Sequence, residues 1–290
     1  MADAAALLKE RLERLAHRRA DEVTRMSVLE LSRSGATAVL TMNRPAARNA
    51  LDLELRGAFA ELLPRIRDDA EVRAVVLTGA GGHFCAGGDV RTMGGGQGGT
   101  DVFEGRSRIL AMQRWFDELV DLEKPVIAAV DGVAYGAGLS LALAADFVLA
   151  SPRATFCCVF ARIGYVPDLA GMYLLPRAVG LAQAKELAFS ARVVGAREAQ
   201  ALGIAQRVVE QGPVLDAALE LAARFEHAPA GAMGIVKSVM NHAFESDRRS
   251  IYMQEAMAQS LCRESAFHKE AARRFLDKQP PLYQWPQETP

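Results

Sequence analysis

Two glycine-containing turns and one downstream aspartate carry the residue types in this chain that are best suited to chemistry. The turns are residues 84–89 (Phe-Cys-Ala-Gly-Gly-Asp) and 135–138 (Tyr-Gly-Ala-Gly), and each follows a short apolar run. Glycine lets the backbone approach a ligand closely, and a helix that begins at such a turn has unpaired N–H groups. Two turns of this kind can aim a pair of backbone amides at one developing negative oxygen. Because Asp168 adds a carboxylate 30 residues after the second turn, the set indicates enolate chemistry beside a carbonyl.

The apolar pattern predicts which elements position these turns. Continuous apolar runs at 74–77 and 126–130 are typical of buried strands. From Leu51 onward the apolar residues recur at helical spacing, which predicts a helix that Asn49 caps and that Pro64 kinks or ends early. Strand–helix–strand alternation with continuous apolar strands indicates an α/β protein whose sheets are covered by helices.

Composition divides the chain into three predicted regions. Residues 1–25 alternate Ala and Leu with charged residues, which predicts a solvated helical extension rather than a targeting segment. Residues 26–212 form the α/β region. Residues 213–290 carry helical patterns and end in a proline-rich tail, so we expect a C-terminal helical segment.

Charge, hydropathy and cysteine usage argue against several classes of protein. The 290 residues have a formal net charge of −1 and are 50% hydrophobic, so no basic field exists to hold nucleic acid or an anionic membrane. The longest apolar stretch, around residues 125–150, is interrupted by aspartates and glycines and is not a membrane span. Four cysteines without C-x-x-C spacing argue against a disulfide framework or a metal site. We therefore expect a cytoplasmic protein with reduced thiols and no metal.

Five short motifs occur in a fixed order along the chain. They are residues 43–51 (Asn-Arg-Pro-x-x-Arg-Asn-Ala-Leu), 84–89, 131–138 (Asp-Gly-x-Ala-x-Gly-x-Gly), 145–146 (Ala-Asp) and 175–180 (Leu-Pro-Arg-x-x-Gly). Through these motifs the chain resembles the crotonase (enoyl-CoA hydratase/isomerase) superfamily from about residue 27 to about residue 280. Each motif is weak by itself, whereas the ordered set is specific.

The resemblance implies a fold and a ligand. The fold is a repeated ββα spiral core with a C-terminal helical segment used in forming trimers, usually as a dimer of trimers. The ligand is an acyl-CoA thioester, and no cofactor is implied beyond the coenzyme A that belongs to the substrate. By position, the backbone amides of Gly88 and Ala137 would form the oxyanion hole.

The resemblance also implies contacts to coenzyme A. Arg48 would lie near the phosphates, and the backbone near Ala86 would meet the adenine. Phe275 and Lys278 match positions that touch coenzyme A from a neighbouring subunit in some relatives.

Two departures from the family bear on the reaction that the resemblance implies. The hydratases of the family have one glutamate where this chain has Ser140 and another where it has Phe160. Hydration needs groups that position and deprotonate water and that protonate carbon, and neither side chain does this. Asp168 lies eight residues beyond Phe160, at a position that other branches use for the working carboxylate. The run 163–168 (Ile-Gly-Tyr-Val-Pro-Asp) is most similar to the ring-epoxide isomerase of phenylacetate degradation and to Δ3,Δ2-enoyl-CoA isomerases.

The sequence therefore predicts an acyl-CoA-dependent isomerase in which Asp168 shuttles a proton while Gly88 and Ala137 stabilise the enolate. A free aspartate has a pKa of about 3.9, and burial would raise that pKa and strengthen the base. Other interpretations stay open: a hydratase-like or nucleophilic reaction at Asp168, or a non-catalytic acyl-CoA-binding protein. Asp168 is also placed to cap a helix that begins near Ala170.

Four residues are candidates for the acyl pocket: Phe84, Ser140, Phe160 and Tyr165. The aromatic members suit a ring or an unsaturated chain. They are equally typical of core packing, and the sequence leaves both interpretations open.

Overall fold

The computed structural model describes residues 24–25, 28–89, 91 and 102–285. Its strands are β1 (Thr24–Arg25), β2 (Leu29–Ser34), β3 (Thr37–Met42), β4 (Ala74–Gly79), β5 (Val126–Val130), β6 (Val133–Tyr135), β7 (Phe147–Ala150), β8 (Thr155–Cys157), β9 (Val193–Gly195) and β10 (Arg207–Val208). Its α-helices are α1 (Leu53–Asp68), α2 (Val102–Val120), α3 (Ala137–Leu143), α4 (Gly171–Val179), α5 (Leu181–Ser190), α6 (Ala196–Leu202), α7 (Val214–Ala223), α8 (Ala230–Asn241), α9 (Arg248–Glu264) and α10 (Ala266–Leu276).

The predicted N-terminal helical extension lies largely outside the described residues. Only Thr24–Arg25 of that region is described, and this pair is a strand that joins the sheet antiparallel to β2. For these two residues the helical prediction is wrong, because pairing with an edge strand satisfies their backbone groups.

Two sheets organise the chain. The main sheet has the order β1-β2-β3-β4-β5-β7-β10, and the second has the order β6-β8-β9. Strands β1 to β3 pair antiparallel, whereas the main sheet is parallel from β3 to β10. All five residues of β5 are buried, as expected for a parallel strand that is covered on both faces. The predicted α/β class with helix-covered strands is confirmed.

A ββα unit repeats along the chain and produces both sheets. One unit contains β5, β6 and α3, and the next contains β7, β8 and α4. Equivalent strands pair in parallel, β5 with β7 in the main sheet and β6 with β8 in the second. The preceding unit contributes β4, which pairs with β5, and an isolated bridge between Cys85 and Ala134. The predicted spiral of ββα units is therefore confirmed.

Pairing in and beside the second sheet sets the register of the glycine turns that follow its strands. Cys85 pairs with Ala134, and Ala134 pairs with Phe156, so three successive units contribute equivalent residues to one row. The amide of Cys85 donates to the carbonyl of Val133 at 2.9 Å, and the amide of Tyr135 donates to the carbonyl of Cys85 at 2.9 Å. The glycine turns that follow Cys85 and Ala134 consequently lie side by side.

Helix α1 differs from its prediction at both ends. It begins after Asp52, whose carboxylate accepts a hydrogen bond from the Leu55 amide at 2.9 Å. The prediction that Asn49 caps this helix is wrong. The helix also continues for four residues past Pro64, so the predicted early end is wrong as well. The apolar face around Pro64 is buried in the core, and this packing outweighs the backbone hydrogen bond that proline cannot make.

Asn49 instead joins the loops beneath the first glycine turn. Its side chain is fully buried, and its Nδ2 donates to the carbonyl oxygens of Ala80 at 2.9 Å and His83 at 2.6 Å. Its Oδ1 accepts from the amide of Arg44 at 2.8 Å. The backbone is left-handed with φ 57°, a conformation that asparagine tolerates better than most residues. Asn49 thus anchors the segment that leads into residues 84–89.

The C-terminal helices fall into two groups. Helix α7 covers one face of the main sheet, where Ala218 and Leu221 belong to a buried cluster with Val76 and Ile127 of the strands. Helices α8 to α10 keep several large apolar side chains exposed to solvent. Within the described part of the chain, no helix is both long enough and apolar enough to cross a lipid bilayer.

Replacing Asn49 with alanine should lower the free energy of unfolding by about 2–4 kcal/mol, since three hydrogen bonds at a fully buried position are lost. Urea unfolding followed by circular dichroism measures this loss. Asn241→Ala is the matched control, because Asn241 is partly exposed and its side chain donates to the carbonyl of Val120 at 3.0 Å. The control should lose no more than about 1 kcal/mol, and equal losses would contradict the anchoring role of Asn49.

Candidate active site

The first glycine turn directs one backbone amide away from the chain it pairs with. The amide of Leu51 donates to the carbonyl of Gly87 at 2.8 Å, and the amide of Asp89 donates to the carbonyl of Leu51 at 3.1 Å. In such a ladder the residue between the two bonded groups points its own N–H to the opposite side. The amide of Gly88 therefore faces away from Leu51, and it has no backbone acceptor among the described residues.

The second glycine turn supplies another amide, that of Ala137, which has no backbone acceptor among the described residues. Gly136 has φ 53° and ψ −123°, which is a conformation that essentially only glycine adopts. Its amide donates to the carbonyl of Cys157 at 2.8 Å, which fixes the turn on β8. Helix α3 then begins at Ala137, and the first amide of a helix has no acceptor within the helix.

Close backbone packing brings the two turns together. A Cβ at Gly87 would lie 2.8 Å from the carbonyl oxygen of Tyr135 and 3.6 Å from the amide nitrogen of Ala137. A Cβ at Gly138 would overlap the carbonyl oxygen of Cys85. Glycine is thus required on both sides of the contact, and the amides of Gly88 and Ala137 belong to neighbouring segments.

A side-chain hydrogen bond ties Asp168 to the helix that begins at Ala137. The hydroxyl of Ser140, three residues into that helix, donates to the carbonyl oxygen of Asp168 at 2.9 Å. The amide of Gly171 donates to the same carbonyl at 2.8 Å. The backbone of Asp168 is therefore held within about one helical turn of Ala137 along α3.

The conformation after Asp168 excludes a capping role for its carboxylate. Helix α4 begins at Gly171, its N-cap is Ala170, and no side chain caps it. Leu169 and Ala170 both have left-handed backbones, with φ 45° and φ 53°. Two consecutive side-chain-bearing residues in this region are strained. The alternative that Asp168 caps α4 is wrong, and the strained turn aims its side chain elsewhere.

Asp168 is half-buried, and its carboxylate is partly desolvated. Its Oδ1 is buried and has no hydrogen-bond partner among the described residues. Burial raises the pKa of Asp168 above its ordinary value, and the positive charge of Arg56 opposes that increase. A carboxylate with a raised pKa and a free lone pair is suited to accept a proton from carbon.

Arg56 is the residue of this site that the sequence analysis missed. It lies on α1 and is partly buried. The sequence offered one indication of its role. Arg56 is next to Leu55, on the border of the buried face of the helix, and an arginine at such a border is often paired with an acidic group.

The four predicted pocket residues lie in three different environments. Ser140 is 2% exposed, and the Phe160 ring reaches the second turn, where its Cζ would lie 3.8 Å from a Cβ at Gly136. Phe84 is fully buried in the main core cluster, which favours the core-packing interpretation for that residue. Tyr165 is 52% exposed. An acyl pocket formed by these residues stays a prediction.

The predicted coenzyme A contacts lie at two places. The carbonyl of Arg48 accepts the amide of Ala86 at 2.9 Å, so these two residues are neighbours beside the first turn, and the Arg48 side chain is exposed. Phe275 near the end of α10 is 82% exposed, and Lys278 just after it is also exposed. Their roles in binding stay predictions.

Repeated ββα units with two turns that present adjacent amides are the architecture of the crotonase superfamily. Within it the chain belongs to the enoyl-CoA hydratase/isomerase family, whose sequence profile matches residues 32–287. The protein is therefore a crotonase-fold enzyme of a family that acts on acyl-CoA thioesters.

Individual relatives carry different activities in their names. The chain is 35% identical over 248 residues to the 1,2-epoxyphenylacetyl-CoA isomerase of Escherichia coli (strain K12), an alignment that covers 84% of this chain and 93% of the relative. It is 36% identical over 257 residues to a probable enoyl-CoA hydratase of Rhodobacter capsulatus, covering 86% and 95% of the two chains. The crystal structure of an enoyl-CoA hydratase/isomerase from Cupriavidus metallidurans CH34 matches with a TM-score of 0.86 at 38% identity, covering 91% and 99%.

Replacing Gly138 with alanine should reduce turnover of the acyl-CoA substrate at least about 100-fold, because the added Cβ overlaps the Cys85 carbonyl and pushes the two turns apart. Steady-state kinetics measure this loss. Gly57→Ala is the matched control: Gly57 lies on α1, and a Cβ there would meet nothing within 4 Å. The control should keep full activity and gain about 0.5–1 kcal/mol of stability. Full activity in Gly138→Ala would show that the contact between the turns is irrelevant to catalysis.

Proposed function

We propose that this protein is an acyl-CoA-dependent isomerase that shifts a double bond in an unsaturated or ring-derived acyl-CoA, with Asp168 as the proton shuttle. The observation that carries the proposal is the buried Oδ1 of Asp168, which has no partner among the described residues. The carbonyl of this residue accepts a hydrogen bond from Ser140, so the base is held near the start of the helix that begins at Ala137. A partly desolvated carboxylate beside two free amides is the minimum set for making and holding an enolate.

The side chains at the two hydratase positions support isomerisation over hydration. The Ser140 hydroxyl is used in the hydrogen bond to the Asp168 carbonyl. Phe160, 7% exposed, places an apolar ring against the second turn. Neither residue can deprotonate water, whereas an isomerase needs one base that keeps the proton and returns it. The name of the Escherichia coli relative, 1,2-epoxyphenylacetyl-CoA isomerase, also favours this branch.

The proposed reaction moves one proton and no other group. Asp168 removes a proton from C2 of a 3-enoyl thioester, and the electron pair passes to the thioester oxygen as a dienolate. The amides of Gly88 and Ala137 donate to that oxygen more strongly than to the neutral carbonyl, which lowers the barrier. Asp168 then returns the proton to C4, and the double bond lies between C2 and C3. Atoms balance without water or a further cofactor, so coenzyme A enters only as part of the substrate.

Asp168→Asn should reduce kcat for conversion of a 3-enoyl-CoA to the 2-enoyl-CoA by about 10²–10⁴-fold, because the amide cannot take the proton. In the wild type, kcat/KM should fall as the pH drops through the raised pKa of Asp168, since the base must be ionised. The measurements are steady-state rates from low to high pH and deuterium uptake from solvent at C2. Wild-type turnover in the variant would refute the proposed base.

Thermal unfolding serves as the control on this variant. The folded-state pKa of Asp168 is raised, so its ionisation costs stability above that pKa and costs nothing below the pKa of the unfolded chain. Asp168→Asn should therefore unfold at a higher temperature than the wild type at pH 8. The difference should shrink as the pH falls. A variant that unfolds at a lower temperature at pH 8 would contradict the desolvated environment assigned to this carboxylate.

We also propose that the C-terminal helices associate with other copies of the chain, as a homotrimer or a dimer of trimers. Large apolar side chains that are each more than half exposed support this arrangement, because a monomer rarely leaves so many uncovered. They are Val236, Met240, Phe244, Tyr252, Met253, Met257, Leu261, Phe275 and Leu276. In such an assembly Arg48 and Ala86 of one subunit, with Phe275 and Lys278 of its neighbour, would hold coenzyme A.

Met257→Lys should shift the protein toward monomer. Met253, Met257 and Leu261 form one exposed stripe at helical spacing along α9. In an assembly that covers this stripe, the lysine charge would be buried at the centre of the interface. Sedimentation velocity measures the mass. Gln113→Lys, at an exposed position on α2 outside the C-terminal helices, is the control for an added lysine and should leave the mass unchanged. The same mass for Met257→Lys and wild type would contradict an interface on this stripe.

A further inference from the structure

Arg56 is hydrogen-bonded to the segment that pairs with the first glycine turn. Its Nη2 donates to the carbonyl of Leu51 at 3.1 Å. The same carbonyl accepts the amide of Asp89 at 3.1 Å. The guanidinium therefore shares one acceptor with the residue that directly follows Gly88, and it is anchored to Leu51, the residue that pairs with Gly88.

Two buried atoms of opposite charge are unpartnered at this place. The Nε of Arg56 and the Oδ1 of Asp168 are both buried, and neither has a hydrogen-bond partner among the described residues. They nevertheless interact at longer range. Desolvation lowers the pKa of Arg56 and the charge of Asp168 raises it, while burial raises the pKa of Asp168 and Arg56 lowers it.

The other ionisable groups that face Arg56 are already committed or neutral. They are Asp52 and Cys85. Asp52 forms an ion pair with Arg44 at 2.7 Å, and burial raises the pKa of Cys85 to about 12, so the thiol is uncharged at neutral pH. Among the described residues, Asp168 is the carboxylate left for Arg56.

From this geometry we propose that Arg56 is a positioning residue whose guanidinium is the counter-charge of Asp168 and links the base to the oxyanion loop. The inference rests on the proposed proton-shuttle function of Asp168. A cation that stands near the base without bonding to its Oδ1 favours the ionised carboxylate and leaves the lone pair free to take a proton. When the proton moves from C2 to Asp168, negative charge passes to the thioester oxygen at Gly88. Arg56, anchored beside that loop, stays close to the negative charge in both states.

Two substitutions separate charge from structure. Arg56→Gln removes the charge but keeps a donor for the Leu51 carbonyl, and Arg56→Lys keeps the charge. Arg65→Gln, at an exposed position on the same helix, is the matched control for loss of one arginine. Circular dichroism establishes that each variant is folded.

The direct readout is the protonation of Asp168 itself. Infrared difference spectra between each protein and the same protein carrying Asp168→Asn isolate the Asp168 carboxyl band, and its titration gives a midpoint without any turnover. We expect the midpoint to move to higher pH in Arg56→Gln, to lie near the wild-type value in Arg56→Lys, and to coincide with the wild type in Arg65→Gln. A midpoint in Arg56→Gln equal to that of the wild type overturns the proposal, and so does an Arg56→Lys midpoint as high as that of Arg56→Gln.

Kinetics with a 3-enoyl-CoA provide the functional readout. Below the wild-type midpoint, Arg56→Gln should lose kcat about tenfold with KM nearly unchanged, and it should recover most of that loss at high pH. A higher KM with an unshifted pH profile would make Arg56 a substrate contact and overturn its positioning role. If the wild type converts no 3-enoyl-CoA, the isomerase proposal fails, and the infrared midpoints still decide whether Arg56 is the counter-charge.

Discussion

The pairing of Cys85 with Ala134 is the constraint on which the rest of the site depends. Two backbone hydrogen bonds of 2.9 Å join these segments, and they set two turns of the spiral one layer apart. Because Gly138 has no Cβ, the start of α3 can pack closely against the Cys85 carbonyl. With any other spacing, the amides of Gly88 and Ala137 would belong to unrelated parts of the surface. The geometry of the site is thus a property of the repeat and of the small size of its glycines.

Elements that a local sequence pattern specifies could be predicted from the sequence. The strand at 126–130 has the predicted bounds, because a continuous apolar run needs only burial to become a strand. The glycine turns could be predicted as well, because their glycines directly follow apolar runs in the sequence. Predictions were wrong where a distant partner decides the outcome. The Asn49 side chain hydrogen-bonds to carbonyls 31 and 34 positions away instead of capping a helix. The electrostatic interaction between Arg56 and Asp168 joins residues 112 positions apart, and no local sequence pattern predicts it.

The segment around Asp168 has an energetically unfavourable conformation that the surrounding packing and hydrogen bonds maintain. The carboxylate is partly desolvated with its Oδ1 unpartnered, and the two residues after it are left-handed without being glycine. Both features cost free energy that a large core offsets elsewhere. The Ser140 hydroxyl and the Gly171 amide converge on one carbonyl and hold this arrangement. Backbone strain next to a partly desolvated carboxylate is typical of sites adapted for reaction rather than for stability.

The proposed oxyanion hole consists of main-chain amides, which has an evolutionary consequence. Point mutations exchange side chains and leave peptide N–H groups in place, so a lineage with this spiral would keep the proposed hole when an acidic side chain is lost or acquired. Ancestors could therefore pass through sequences with one carboxylate, two, or a relocated one, while retaining some rate enhancement at every step. The names of the two relatives described above, an isomerase and a probable hydratase that are 35% and 36% identical to this chain, fit such divergence on one scaffold.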